Sequence, residues 1–251
     1  MANSRDRRRL YGDLAWTWPI VSPSEHYVGE SETFAGLVRA HGRGEMKSLL
    51  NLGSGGGHND WTLKHHFTVT GIDRSADMQG LAKRLNPEVE YIAGDMRDIR
   101  LGRLFDAVVC FDSIDYMLDE GDLTAAFTTA YEHLRPGGVF LTYAEVTRES
   151  FVEGRVRAVR GIGDDGTEII FVETDHDPDP TDSTIECGYV YLIRENGEFR
   201  VEADHHLTGI FAEARWPVLL EAAGFEVRAL MVDVWDEAGE EIPTFLGVKP
   251  G

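Results

Sequence analysis

The chain has 251 residues, 42% of them hydrophobic, and sets 24 Lys and Arg against 44 Asp and Glu, a formal net charge of −20 at pH 7. That length and apolar content suit one α/β core, and the acidic balance argues against nucleic acid or a membrane surface as partner. Two cysteines, Cys110 and Cys187, without a C-x-x-C pair, argue against a disulfide framework or a structural zinc and for a reducing, cytoplasmic setting.

No run of about 18 apolar residues occurs, and the arginine-rich start is not followed by an apolar stretch. Arg5, Arg7, Arg8 and Arg9 read as a solvated arm. Tyr11, Trp16, Trp18, Tyr27 and Phe34, interrupted by Pro19 and Pro23, predict short helices, so residues 1–45 are expected to form a helical lid. From Ser48 to Leu141 short apolar runs alternate with helix-length polar segments, the pattern of βα units feeding a parallel sheet. The predicted strands are Ser48–Leu52, Thr68–Ile72, Val89–Ala93, Phe105–Phe111 and Gly138–Tyr143.

The character then changes. Arg155–Arg160, Glu168–Glu173, Thr184–Ile193 and Phe199–Leu207 predict an antiparallel meander, with turns at Gly163-Asp164-Asp165-Gly166 and at Asn196-Gly197, the strongest hairpin signal. Residues 151–208 are therefore expected to be an inserted cap. Arg215–Ala223 predicts a helix closed by Gly224, and Glu226–Val232 and Thr244–Val248 the final strands. With no internal repeat, residues 1–251 read as one domain.

The chemistry begins at Leu49-Leu50-Asn51-Leu52-Gly53-Ser54-Gly55-Gly56-Gly57, a buried-strand pattern running into a glycine cluster. Glycine lets the backbone approach a ligand that a side chain would hold off. A dinucleotide fold wants G-x-G-x-x-G, and the third position here is His58, so that pattern fails. The spacing that holds is G-x-G-x-G, at Gly53, Gly55 and Gly57. The next strand ends in Gly71-Ile72-Asp73, where a carboxylate can accept both hydroxyls of a ribose. A further strand ends in Ala93-Gly94-Asp95-Met96, where a second carboxylate can accept from an adenine amino group while the methionine packs on the ring. Phe105 to Asp112 then leads a buried strand to a polar tip, and Leu134-Arg135-Pro136-Gly137-Gly138 turns a helix into the fifth strand.

From Leu49 to Tyr143 this ordered set resembles the class I S-adenosylmethionine-dependent methyltransferases. The resemblance implies an α/β fold with a Rossmann-like, seven-stranded, mostly parallel sheet, helices on both faces, and S-adenosylmethionine as cofactor. Many members carry an acid where this chain has Asn51, which still accepts a hydrogen bond. The cofactor set implied is Tyr11, Asn51, Gly53, Ser54, Gly55, Asp73, Arg74, Met78, Asp95, Met96, Arg97 and Phe111. Within the class the chain resembles the N,N-dimethyltransferases of nucleotide-linked amino sugars. That likeness rests on Gly94-Asp95-Met96-Arg97-Asp98 with Leu101-Gly102-Arg103, on Ser75-Ala76-Asp77-Met78, and on Tyr11-Gly12-Asp13, similar to their Tyr-Asp start. It continues through Thr184 to Glu186, Ala222-Ala223-Gly224-Phe225 and Leu246-Gly247-Val248. Where they have S-I-G-H-L, this chain reads Ser113-Ile114-Asp115-Tyr116-Met117, and their tryptophan-rich segment has no counterpart at Tyr143 to Thr147. The sugar substrate is therefore not carried over.

Methyl transfer asks mainly for alignment of a nucleophile with the sulfonium and exclusion of water, plus a base if the acceptor starts protonated. Asp112, Asp115, Tyr116, His205 and His206 are the candidates, with Asp115, Tyr116 and His205 taken as the catalytic set. His205 and His206 are expected to face opposite sides of one strand. Neither that pair nor His65-His66 has metal-ligand spacing, so no metal is expected. The expected function is methyl transfer to an amine or hydroxyl of a small polar metabolite by a monomer or homodimer. The alternatives are a non-catalytic cofactor-binding regulatory or scaffold protein and a nicotinamide-dependent oxidoreductase.

Overall fold

A computed structural model of the chain describes residues 6–233 and 241–251. Short helical turns open it, including α1 (Trp18–Val21), and lead into α2 (Val28–His41). Next come β1 (Ser48–Leu52), α3 (His58–Leu63), β2 (Thr68–Asp73), α4 (Ala76–Leu85), β3 (Glu90–Ala93), β4 (Phe105–Cys110), a 3-10 turn at Asp112–Tyr116, α5 (Glu120–His133) and β5 (Leu134–Tyr143). Four antiparallel strands follow, β6 (Val156–Ile162), β7 (Glu168–His176), β8 (Thr184–Glu195) and β9 (Glu198–Gly209); then α6 (Arg215–Ala222), β10 (Glu226–Asp233) and β11 (Glu241–Val248).

The first sheet runs β10-β11-β5-β4-β1-β2-β3. Its strands β1 to β5 are parallel, and β11 enters antiparallel to β5 and β10 antiparallel to β11. Alternate residues of one strand feed two cores, as the period of two requires. Leu50, Leu52, Val108, Cys110 and Phe140 pack with Leu123 and Phe127 of α5 and Trp216 and Leu220 of α6. Leu49, Ala107, Val109 and Leu141 pack with Phe34 and Val38 of α2 and Leu63 of α3 on the other side. The expected seven-stranded, mostly parallel sheet with helices on both faces is thus present.

One boundary differs. β5 begins at Leu134, where a turn was expected, because Leu134 already pairs with Phe105 and the ladder then slips its register before Ala107. Gly137, at φ 81°, absorbs the irregularity.

The second sheet, β6-β7-β8-β9, is the meander. Asn196 and Gly197, at φ 52° and 81°, form the two-residue hairpin turn that the sequence announced. Its inner face, with Ile169, Ile185, Tyr191 and Ile193, packs on Leu10, Leu14, Ala15 and Val21 of the N-terminal segment and on Met78 of α4. That third core brings residues near the start of the chain and the meander together over the carboxyl ends of the parallel strands.

Candidate active site

Between β1 and β4 the strand order reverses, and there a crevice opens beyond the carboxyl ends of the strands. It is a cavity of about 800 Å³. Its floor is the glycine loop. The N–H groups of Gly53 and Ser54 both donate to the Ile72 carbonyl at 2.8 Å, which folds the loop back over β2. Gly53 sits at φ 74°, and a Cβ there would lie 2.1 Å from Ser113 Oγ and 2.9 Å from Met96 Cε. Gly55, also left-handed at φ 52°, has open space where a Cβ would stand.

The Gly55 N–H donates to Asp73 Oδ2 at 2.8 Å, and the Ser75 N–H to Asp73 Oδ1 at 2.7 Å. Each oxygen is thus oriented while retaining acceptor capacity toward the cavity. Burial pushes this carboxyl above its ordinary range, against the pull of the two N–H groups. Ser75 also caps α4 by accepting from the Met78 N–H at 3.0 Å, and its hydroxyl donates to the Tyr11 carbonyl at 2.6 Å. The N-terminal segment is thereby tied to the tip of β2.

Asp95 accepts from the backbone N–H and Nε of Arg97 at 3.0 Å each and from its outer nitrogen at 2.7 Å, with Arg74 at 3.4 Å. Burial alone would raise this carboxyl, but Arg97 holds it below the usual range. Met96 and Phe111 supply apolar wall, and Tyr11, Ser54, Arg74, Met78 and Arg97 also line the cavity.

Three expected site residues lie elsewhere. Asn51 shares its strand face with Leu49, not with Leu50 and Leu52, so it points beneath the loop and donates to Asp60 Oδ1 of α3 at 2.8 Å. Asp115 is not among the residues of the cavity wall. Burial, with Glu145 and Asp112 nearby, pushes its carboxyl well above the ordinary range. His205 faces outward on β9, opposite Gly188, and pairs with Glu186 at 3.2 Å.

His206 turns inward instead. Its Nδ1 lies 2.6 Å from the Tyr116 hydroxyl and its Nε2 2.8 Å from Asp204 Oδ2. The carboxylate fixes the tautomer: Nε2–H donates to it, and Nδ1 accepts from Tyr116. The Tyr11 hydroxyl donates in turn to Tyr116 at 2.9 Å. Asp204 also takes the Leu10 N–H at 2.7 Å, and burial's upward push on it is outweighed by these donors, leaving it at about 2.

Asp112 lies on the cavity wall, with accessible surface there although protein surrounds it. Its carboxylate accepts from the Tyr143 hydroxyl, and burial, reinforced by the Glu145 charge, pushes it up to about 6. His58, Asn59 and Ser113 also line the cavity and were not expected there. Burial takes His58 down to about 4, so it is neutral at pH 7. Asp204 was missed as well, although residues two apart on a strand share a face and His206 had been considered.

A tight glycine loop, open space at Gly55, a ribose-type acid at Asp73, and Asp95 with Met96 one strand further fit an adenosyl group. Fold and site together define a class I S-adenosylmethionine-dependent methyltransferase. Residues 49–138 match the family model described as a methyltransferase domain. Over 222 residues, 86% of this chain and 85% of the relative, the sequence is 33% identical to the dTDP-3-amino-3,6-dideoxy-alpha-D-glucopyranose N,N-dimethyltransferase of Streptomyces fradiae. It is also 33% identical, over 81% of this chain and 85% of the relative, to the dTDP-3-amino-3,4,6-trideoxy-alpha-D-glucopyranose N,N-dimethyltransferase of Streptomyces venezuelae. The crystal structure of Streptomyces venezuelae DesVI superposes with a TM-score of 0.81 at 28% identity, covering 95% of this chain and 96% of that one. The chain belongs to the family of the nucleotide-amino-sugar N,N-dimethyltransferases. It is an enzyme that takes its methyl group from S-adenosylmethionine and passes it to a small polar metabolite, and the nicotinamide and scaffold alternatives give way to that reading.

Proposed function

We propose that the acceptor is the amino group of a nucleotide-linked sugar. The carrying observation is the charge of the acceptor end. Asp112 stands on the cavity wall, and Glu145 lies close enough that its field raises the carboxyls of both Asp112 and Asp115. Such a wall attracts an ammonium and offers a neutral hydroxyl far less. The amine-directed names of the relatives support the same choice.

When bound, S-adenosylmethionine supplies an activated methyl group. The protein's work is then to hold and align. Gly53, Ser54 and Gly55 approach the methionine portion, Asp73 holds the ribose, and Asp95 and Met96 hold the adenine edge and face. Arg74 and Arg97 keep Asp95 ionised and oriented, Met78 and Phe111 complete the apolar wall, and Tyr11 closes over it. Of residues 1–45, the described part from residue 6 acts as a lid, and 151–208 as a cap, that exclude water. Of the expected catalytic set, Tyr116 stays at the centre, while Asp115, whose carboxyl burial holds well above its ordinary range, stays behind the wall. His206 takes the place of His205. Both cysteines are free and buried, which supports a reducing, cytoplasmic setting. Monomer or homodimer, the enzyme acts on a small molecule and on neither nucleic acid nor membrane.

Incubation with S-adenosylmethionine and dTDP-3-amino-3,6-dideoxyglucose, followed by mass spectrometry, should yield mono- and dimethylated amine. The matching sugar with a hydroxyl in place of the amine should stay unmodified. Methylation of the hydroxyl, or of neither, would remove the amine reading.

A further inference from the structure

We infer that Tyr116, His206 and Asp204 form a proton relay that receives the proton the acceptor nitrogen must lose before it can attack. The inference rests on the amine reading above. An amine held by carboxylates arrives as an ammonium with no free electron pair, so a proton has to leave the nitrogen and be kept away from it during transfer.

Three distant parts of the chain meet to build this line: the start of the chain at Tyr11, the turn after β4 at Tyr116, and β9 of the meander at Asp204 and His206. The hydrogen bonds run in one direction, from Tyr11 to Tyr116 to His206 Nδ1, with Nε2–H closing on Asp204. The side chains of His206 and Asp204 are both completely shielded from solvent. Neighbouring inward positions of the same sheet are filled by Ile185, Tyr191 and Ile193. An apolar pair would stabilise that face at least as well as a buried ionisable one. A buried acid–imidazole pair bonded to a tyrosine of the cavity wall is placed for chemistry.

Tyr116 is on the cavity wall together with Asp112 and Ser113. Its oxygen accepts from Tyr11 and donates to His206, which leaves one electron pair for an incoming proton. In the step, the acceptor's N–H proton binds to the Tyr116 oxygen as the Tyr116 proton moves to His206 Nδ1. The imidazolium so formed is stabilised by the Asp204 carboxylate. The freed nitrogen pair forms the new N–C bond, the S–C bond breaks, and its electron pair stays on sulfur. Tyr116 is the catalytic residue, and His206 and Asp204 act through it. Burial keeps the Tyr116 hydroxyl well above its ordinary range, so it hands the proton on without resting as a phenolate.

The groups facing His206 from every side are few. Tyr189 of β8 lies with its ring 4.7 Å away, Tyr11 5.5 Å and Tyr116 5.7 Å, and Cys187 stands opposite in register. Arg8 lies 4.7 Å from the centre of the Tyr116 ring. Asp6 stands nearby, taking the Leu207 N–H at 3.4 Å and Arg8 Nε at 2.8 and 2.9 Å, so Asp204, bonded directly to Nε2 at 2.8 Å, is the carboxylate that stabilises a proton on His206. Asp112 is the competing base: its Oδ1 accepts from the Tyr143 hydroxyl and its Oδ2 is left to hold the ammonium, so the Asp112→Asn variant separates that part from the relay.

The test measures kcat and KM against pH for wild type, Tyr116→Phe, His206→Gln and Asp112→Asn, with dTDP-3-amino-3,6-dideoxyglucose as acceptor. For Tyr116→Phe and His206→Gln, kcat at pH 7 should fall about 100-fold with KM little changed. The deficit should shrink as pH rises and the amine loses its proton unaided, a rescue that simple loss of packing cannot produce. Wild-type rates in both variants, a deficit equal at every pH, or alkaline rescue appearing in Asp112→Asn instead, would each overturn the relay. Tyr116→Phe removes one oxygen and keeps the test alive if His206→Gln does not fold. A proton NMR spectrum of the unmodified protein gives a readout that needs no turnover: a strongly deshielded imidazole N–H should be present, lost in Asp204→Asn and kept in Tyr116→Phe. Its absence in the wild type overturns the relay. A wild type with that signal that methylates no amine overturns the amine reading instead.

Discussion

At the tips of β2 and β3 the polar groups are left open to the cavity, whereas on the inner face of β9 they are spent on one another. Asp73 and Asp95 are oriented by backbone N–H groups and by Arg97 yet keep acceptor capacity toward a ligand. The Asp204 and His206 side chains have no surface left, and the Tyr116 hydroxyl bonded to His206 links them to a residue of the cavity wall. The first arrangement makes a binding surface, in which a changed residue reads out as affinity. The second makes a device that works at one remove, in which a changed residue reads out as rate and pH dependence. The contrast also separates two kinds of carboxyl group. Asp204 is surrounded by donors and sits low, whereas Asp60 and Asp112 lack enough of them and are pushed up to about 6.

The largest expected effect that breaks the comparison at its binding end is Gly53→Ala. The new Cβ meets Ser113 and Met96, and the residue is held in a left-handed backbone, so the loop must move. Affinity for S-adenosylmethionine should drop about 100-fold, measured by calorimetry, the equivalent of up to about 3 kcal/mol of strain. Retained affinity would mean that the loop does not touch the ligand.

Asp112→Asn should act more mildly and on the acceptor alone. The cavity loses one negative charge, so KM for the amine should rise about tenfold, while the affinity for S-adenosylmethionine and kcat at saturating acceptor stay close to wild type. A fall in kcat without a change in KM would place Asp112 in the proton path and not in binding.

The smallest effect concerns stability beneath the glycine loop. Asp60 has a folded value of about 6, above the value of about 3.9 for an unfolded chain. Its protonated form therefore contributes stability that is fully present below about pH 4 and lost as the pH rises through about 6. Asn51 Oδ1 and Asp60 Oδ2 are buried without hydrogen-bond partners, a deficit that a neutral group at position 60 can relieve. Asp60→Asn should raise Tm at pH 8 by about 2–4 °C, near 1 kcal/mol for a chain of this size, and change it little at pH 4. An equal change at both pH values would show that ionisation is not the cause.

What the sequence made legible follows the same division. Asp73, at the end of β2, and Asp95 and Met96, just past the end of β3, were readable because each follows closely on an apolar run and a glycine. The hairpin at Asn196-Gly197 was readable because two left-handed residues in succession suit few others. Asn51 adjoins the loop in sequence, but the strand's alternation turns its side chain away from Leu50 and Leu52 toward Asp60. Alternation correctly separated His205 from His206 but could not say which side of the meander was inward. That depends on packing against Leu10, Leu14 and Val21, well over a hundred residues away in the chain. Residues joined by such long connections leave no spacing to read, and Asp204 and Tyr116 belong together only once the fold has formed.

The most direct test is calorimetric titration of S-adenosylmethionine into the wild type and Asp73→Ala. One tight site per chain is predicted in the wild type, weakened by about 1–3 kcal/mol in the variant, the cost of leaving ribose hydroxyls unpaired in a closed pocket. Equal affinity in the two proteins would contradict the assignment of this crevice to the cofactor.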